Sequence, residues 1–206
     1  MFSANEIVVA TGNKGKLKEI GEVLAPLGIR VRGQQEFAIP EIEETGLTFV
    51  ENAILKARNT CAHTGKPALA DDSGIEVDAL DGAPGIYSAR YAGQDAGGNA
   101  SDAANVAKLL QDLQSVPDAE RSARFQCVMV YLRHANDPVP LICQGTWEGR
   151  ITLQPQGDDG FGYDPVFWVP QHGCTAAQLT SAVKNGLSHR GQALQKLLAA
   201  LQARHG

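Results

Sequence analysis

The order of apolar and polar positions along this chain switches repeatedly between the period of a strand and that of a helix. Ile7 to Thr11 reads as a short buried strand, after which Leu17, Ile20, Leu24 and Leu27 recur at helical spacing until Gly28. Thr48-Phe-Val-Glu51 is a capping-box pattern that opens a second predicted helix, with Val50, Ile54, Ala57 and Cys61 as its stripe and Gly65 as its end. Asn52 and Lys56 stand four apart on the polar face of that helix. Pro67 to Ala70 predicts a strand that ends at "DDSG", followed by a further strand from Ile75 to Leu80 before the "GAPG" turn. Val106, Leu109, Leu110 and Leu113 mark a third helix, and "RFQCVMVYL" and "VPLICQGTWEGRI" read as two strands joined around Asn136-Asp137-Pro138. Ser188 is expected to cap a last helix whose stripe is Ala193, Leu194, Leu197, Leu198 and Leu201. The sum predicts an α/β protein with a mixed central β-sheet flanked by helices.

Size and composition narrow the class. At 206 residues the chain supports one sizeable core, so residues 1–206 are expected to form a single domain, with two lobes. Apolar residues make up 43% and charged residues 20%, and no window approaches the apolar length of a membrane span. The opening stretch lacks a basic n-region and a long apolar h-region, so export is not expected and the cytoplasm is. Cys61, Cys127, Cys143 and Cys174 are scattered without a CxxC pair, which predicts free thiols rather than a zinc site or a disulfide framework. A net charge of −5 argues against a broadly basic nucleic-acid surface but leaves room for a local anion pocket. The stretch "AGQDAGGNASDAA" is the predicted mobile loop.

The first turn poses a charge problem. "ATGNKGKLKEI" places Lys14, Lys16 and Lys18 at a helix start, where unpaired N–H groups and the macrodipole are already partly positive. Thr11, Gly12, Asn13, Lys14, Gly15 and Lys16 therefore suggest a phosphate cradle, although the spacing is not that of a Walker A loop. A solvated lysine cluster is the plain alternative. The same problem recurs at Ser188-His189-Arg190, with Lys184 just upstream, and two such helix starts are best explained by one polyanion.

Acids oppose this cationic set: Glu43 and Glu44 before the second helix, and Asp71-Asp72 at a strand end. Adjacent carboxylates on an extended backbone point different ways, so one of the pair is expected to face the site. Carboxylates beside phosphates imply a divalent cation between them, and Mg²⁺ suits a few carboxylates plus phosphate oxygens. In "GDDGFGYDPVF", two glycines flank Phe161, which can offer a face to a nucleobase or anchor the loop in the core.

Together these segments resemble the inosine triphosphate pyrophosphatase family, the noncanonical purine nucleoside triphosphate pyrophosphatases, in its bacterial dITP/XTP branch. The matching blocks are "ATGNKGKLKE", "EETGLTFVENAILKAR", "ADDSGIEVDALDGAPGIYSARYAG", "GFGYDPVF" and "SHRGQAL", in order across nearly the whole chain. The region from Gly93 to Ala104 departs from the shorter, more acidic linker expected there. The resemblance implies an active-site cleft between the two lobes and a homodimer. It also implies hydrolysis of ITP, dITP and XTP with Mg²⁺ at the α-β phosphate bond, giving a nucleoside monophosphate and pyrophosphate. Carried over by position, the loop from Thr11 to Lys16 holds phosphate through Asn13 and Lys16, with Lys56 a further phosphate ligand. Glu44 and Asp72 fall at metal positions, Asp72 also at the proton acceptor, and Ser73 at a substrate contact. Phe161, Gly162, Tyr163 and Asp164 match the base-binding loop, and Lys184, His189 and Arg190 match further nucleotide contacts. Lys184, Arg190 or backbone N–H groups near Phe161 are candidate donors to a 6-oxo purine. Two rivals are weighed: a Maf-like pyrophosphatase, disfavoured by the SHR and FGYDP blocks, and a non-catalytic nucleotide-binding protein, disfavoured by Glu44 and Asp72.

Overall fold

A computed structural model describes residues 6–93 and 99–205, so part of the glycine- and alanine-rich loop, and the side chain of Lys14, lie outside the described residues. Among the described residues the strands are β1 (Glu6–Val9), β2 (Arg30–Gly33), β3 (Ala68–Val77), β4 (Ser122–Leu132), β5 (Leu141–Ile151), β6 (Phe167–Val169) and β7 (Cys174–Thr175). The helices that flank them are α1 (Lys14–Leu24), α2 (Phe49–Thr64), α3 (Asp102–Asp112), α4 (Ser181–Leu187) and α5 (His189–His205). The strands form one mixed sheet in the order β2-β1-β3-β4-β5-β6-β7. β1 runs parallel to β2 and β3, with Val8 opposite Ala68, whereas β6 runs antiparallel to β5 and β7.

Most of the expected elements are present. α1 and its following turn stop at Gly28 and α2 stops at Gly65, both in the left-handed region that glycine enters without strain. Thr48 caps α2 by accepting the Glu51 N–H, and Ser188 caps α5 by accepting the Gly191 N–H at 3.1 Å. Two expectations are corrected. β3 does not end at "DDSG" but runs through it to Val77, because Asp71 and Asp72 each meet a lysine and need no turn to reach water. The segment Ile75 to Leu80 is therefore the end of β3 plus a 3-10 turn at Asp78–Leu80, not a separate strand. The expected stripe of α2 packs as read, with Ala57 and Cys61 buried and Val50 and Ile54 partly buried against the same core, and Asn52, Ala53 and Thr60 widen it.

Residue contacts divide the chain into two compact units, one of residues 1–72, 127–145 and 192–206, the other of 73–126 and 146–191. In the first unit, side chains alternate along the strands between two cores. Ile7, Val9, Leu69, Met129 and Tyr131 pack with α1 and α5, through residues such as Ile20, Leu24, Leu194 and Leu197. Ala68, Ala70, Val128 and Val130 pack with α2, through Ala53, Ala57 and Cys61. In the second unit, Ile75, Val77, Phe125, Trp147 and Phe167 pack with Val106 and Leu109 of α3 and with Leu113 at its C-terminal cap. The four cysteines are free thiols, and burial pushes that of Cys61 up to about 11.

Candidate active site

The same alternation that builds the first unit's two cores distributes its carboxylates. Asp71 continues the β3 face that carries Leu69, toward α1, and its Oδ2 lies 2.8 Å from Lys16 Nζ. Asp72 continues the face of Ala68 and Ala70, toward α2, and its Oδ1 lies 2.8 Å from Lys56 Nζ. Lys56 Nζ is also 3.0 Å from Glu44 Oε1, so one ammonium joins Glu44 to Asp72. The two aspartates thus point different ways, as an extended backbone requires, yet each meets a cation.

Both aspartates are buried, and the electrostatics follow from that. Burial works against the Lys56 ammonium, but the attraction of Asp72, Asp71 and Glu44 outweighs it and holds Lys56 above its ordinary value. Burial raises the Asp72 carboxyl above the ordinary aspartate value; Glu44 and Asp71 add repulsion, and Lys56 opposes the rise without cancelling it. Among the described residues no group of three or more His, Cys, Asp or Glu is placed to hold a metal ion. Glu44 and Asp72 nevertheless fit Mg²⁺, since both already share a cation and this ion is commonly held by one or two carboxylates with phosphate oxygens and water.

The charge problem at the start of α1 has two answers within the chain. Asn13 is the N-cap, and its Oδ1 accepts the N–H groups of Gly15 at 2.8 Å and Lys16 at 3.1 Å. Lys16 turns its charge to Asp71. Thr11 is buried and its Oγ1 accepts the Asn13 N–H, while Gly12 and Gly15 are exposed. Lys18 pairs on the surface with Glu22 at 3.8 Å.

The second unit gathers the other predicted residues. Phe161 leaves 47% of its surface exposed, with Lys184 Nζ 5.1 Å and Arg190 Cζ 5.7 Å from its ring centre. Asp164 is buried, accepts the Phe161 N–H at 2.8 Å and pairs with Lys184. Arg190 is buried and donates to Ser73 Oγ at 3.2 Å. His189 stacks on Phe125 with ring centres 4.8 Å apart. Tyr163 is a core anchor: its ring is buried and its hydroxyl donates to Ser88 O at 2.8 Å. The Phe161 and Gly162 amides, expected as candidate donors to a base, are already engaged by Asp164 and Asp102.

Three residues here went unassigned in the sequence. Asn52, fully buried on α2 one turn before Lys56, accepts the Gly46 N–H at 2.8 Å and so fixes the loop that carries Glu44. Gly46 must be glycine, because a Cβ there would stand 2.5 Å from Glu51 Cβ and 2.7 Å from Asn52 Oδ1. Asp102 reaches the loop of Phe161 from α3. The only local signal for any of them was the helical spacing of Asn52 and Lys56.

The Ham1 family model matches residues 7–200. A dITP/XTP pyrophosphatase of Photobacterium profundum is 58% identical over 198 residues, covering 96% of this chain and 98% of its own. One of Thioalkalivibrio sulfidiphilus is 60% identical over 199 residues, covering 97% and 100%. A HAM1 protein structure from Coxiella burnetii superposes with a TM-score of 0.90 at 52% identity, covering 96% of this chain and 98% of that one. The Staphylococcus aureus Ham1 protein does so with a TM-score of 0.86 at 41% identity, covering 97% and 99%. The resemblance carried by five sequence blocks is thereby borne out over nearly the whole length, and the chain belongs to the Ham1 family.

Proposed function

We propose that this protein hydrolyses noncanonical purine nucleoside triphosphates, namely dITP, XTP and ITP, to the nucleoside monophosphate and pyrophosphate, removing them from the nucleotide pool. The observation that carries this reading is the convergence of Glu44 and Asp72 on Lys56, within the field of the Lys16–Asp71 pair's carboxylate. Carboxylates and ammoniums gathered in this way suit a metal-bound triphosphate. Relatives called dITP/XTP pyrophosphatase, 58% and 60% identical, support the substrate class.

Glu44 and Asp72 would hold Mg²⁺ together with phosphate oxygens and water, and the ion would supply charge neutralisation at the phosphates. Asp72 orients the attacking water and takes its proton as the water oxygen bonds to the α-phosphorus. The bond from that phosphorus to the bridging oxygen breaks, and pyrophosphate leaves with the oxygen. A carboxyl raised above the usual aspartate value is a better proton acceptor than an ordinary one. Lys16, Lys56 and the loop from Thr11 to Gly15 hold phosphate; with its Oδ1 committed to the cap, Asn13 acts through its Nδ2. Phe161 stacks on the base, and Lys184 and Arg190 donate to the 6-oxo group, which adenine's amino group cannot replace. Ser73, Gly162, Asp164 and His189 complete or support the nucleotide contacts. Residues 1–206 act as one cytoplasmic catalytic domain, paired as a homodimer and without nucleic acid.

Product analysis with ITP and Mg²⁺ tests the reaction: pyrophosphate with IMP is expected, and orthophosphate with IDP would overturn α-β cleavage. Asp72→Asn is expected to fold and to lose at least about 100-fold in kcat, the scale of general-base contributions. Full activity in that variant would remove Asp72 from the mechanism. Light scattering tests the dimer.

A further inference from the structure

We infer that Asp102 is a positioning residue for base recognition, holding the platform of Phe161 in place through the amide of Gly162. The inference rests on the reading of Phe161 as the base-stacking ring. Asp102 lies in the first turn of α3, directly after the cap Ser101, whose Oγ accepts the Ala104 N–H at 3.2 Å. Its Oδ2 accepts the Gly162 N–H at 2.7 Å, joining positions 60 apart in sequence. The preceding amide, that of Phe161, is held by Asp164, which also pairs with Lys184. Two consecutive amides of one short loop are therefore bound by carboxylates from different elements.

Packing fixes only one end of this loop: Tyr163, directly after Gly162, is buried in the same core cluster as Val106 and Leu109 of α3. A cavity of about 450 Å³ is lined by Ala103, Val106 and Leu110 on the helix and by Pro155, Phe161 and Pro165 on the loop. With open space on the Phe161 side of that anchor, the position of Phe161 and Gly162 rests on their hydrogen bonds as well. A bond to an ionised carboxylate is among the stronger ones available. Losing it frees the segment that carries the Phe161 ring, and with it the spacing of that ring from Lys184 and Arg190.

Asp102→Ala removes the acceptor, whereas Asp102→Asn removes the charge and keeps an acceptor oxygen. The full-length variants are assayed for pyrophosphate release from dITP and GTP with Mg²⁺, for dITP binding, and for hydrogen exchange of the Gly162 amide. In Asp102→Ala, KM and Kd for dITP rise about tenfold, the size of one lost hydrogen bond to a charged acceptor, while kcat changes less than about twofold. The preference for dITP over GTP narrows and the Gly162 amide exchanges faster. Asp102→Asn restores most of each property. An unchanged exchange rate in Asp102→Ala, or equal impairment in both variants, overturns the tether whatever the activity. Wild-type protein that binds dITP but releases no pyrophosphate refutes the catalytic reading alone, and the Asp102 comparison is then decided on Kd and exchange.

Discussion

Replacing Lys56 with Met tests the electrostatics of the site most directly. The substitution keeps much of the apolar stem on α2 and removes the ammonium that Glu44 and Asp72 share. Removing one partner of a fully buried ion pair costs about 3–5 kcal/mol. Here the side chains of Lys56, Asp72 and Glu44 are 18%, 11% and 27% exposed, so solvent relieves part of that and a loss of about 2 kcal/mol is expected at neutral pH. For a chain of 206 residues this lowers Tm by about 4–8 °C.

The pH dependence has a definite sign at both ends. Lys56 is held above its ordinary value of 10.5, so its contribution is full below that pH and disappears as pH rises through the folded-state value. Asp72 is raised above 3.8, which is itself a cost at neutral pH that vanishes once folded and unfolded states are both protonated. As Asp72 takes up its proton on acidification, its ion pair with Lys56 is lost in the wild type as well. Thermal unfolding followed by circular dichroism should show the gap between wild type and Lys56→Met widest near neutrality and narrowing at both extremes. Equal stability at pH 7, or a gap independent of pH, would refute the reasoning. Without the nearby cation Asp72 also protonates more readily, so the acid limb of the pH–rate profile should move to higher pH.

Gly46→Ala introduces a Cβ 2.5 Å from Glu51 Cβ, and the overpacking, about 1–3 kcal/mol, is relieved by moving the loop that carries Glu44. More Mg²⁺ should then be needed for half-maximal pyrophosphate release, and an unchanged metal titration contradicts the placement of Glu44. Phe161→Ala should raise KM for dITP by roughly 5- to 100-fold, corresponding to about 1–3 kcal/mol of base stacking, with little change in Tm. Wild-type KM in that variant excludes Phe161 as the base platform. Arg121 is buried and donates to the carbonyls of Leu113, Val116 and Thr152, so Arg121→Met should cost about 3 kcal/mol by removing all three hydrogen bonds from a buried site. Urea unfolding checks this, and a shift of the midpoint below experimental error would mean that other donors replace it.

Elements with strong periodicity or clear caps were legible in the sequence. α1, α2 and α5 carry stripes wide enough to cover a sheet and end on Gly28, Gly65 or begin on Ser188. β6, β7 and α4 were not legible, since two to seven residues hold too few positions to show a period, and β2, as short as β1, lacks its unbroken apolar run. "DDSG" was misread as a strand end because adjacent aspartates usually seek water. The lysines that neutralise them lie 55 and 16 positions away, and only folding brings them near.

What the sequence by itself determined is the chemical inventory and its class: an α/β chain, five family blocks, and cations and carboxylates of the types that handle a metal-bound triphosphate. Which groups meet was decided only by the tertiary structure. Alternation along β3 sends Asp71 to Lys16 and Asp72 to Lys56; Asn13 caps the helix start by accepting the Gly15 and Lys16 N–H groups; Asp102 and Asp164 occupy the amides of Gly162 and Phe161. The physical reason is that charge and hydrogen-bond capacity belong to single residues, whereas their partners are set by packing. A side chain's neighbour across a sheet or helix face lies tens of positions away in sequence, beyond the reach of any local pattern.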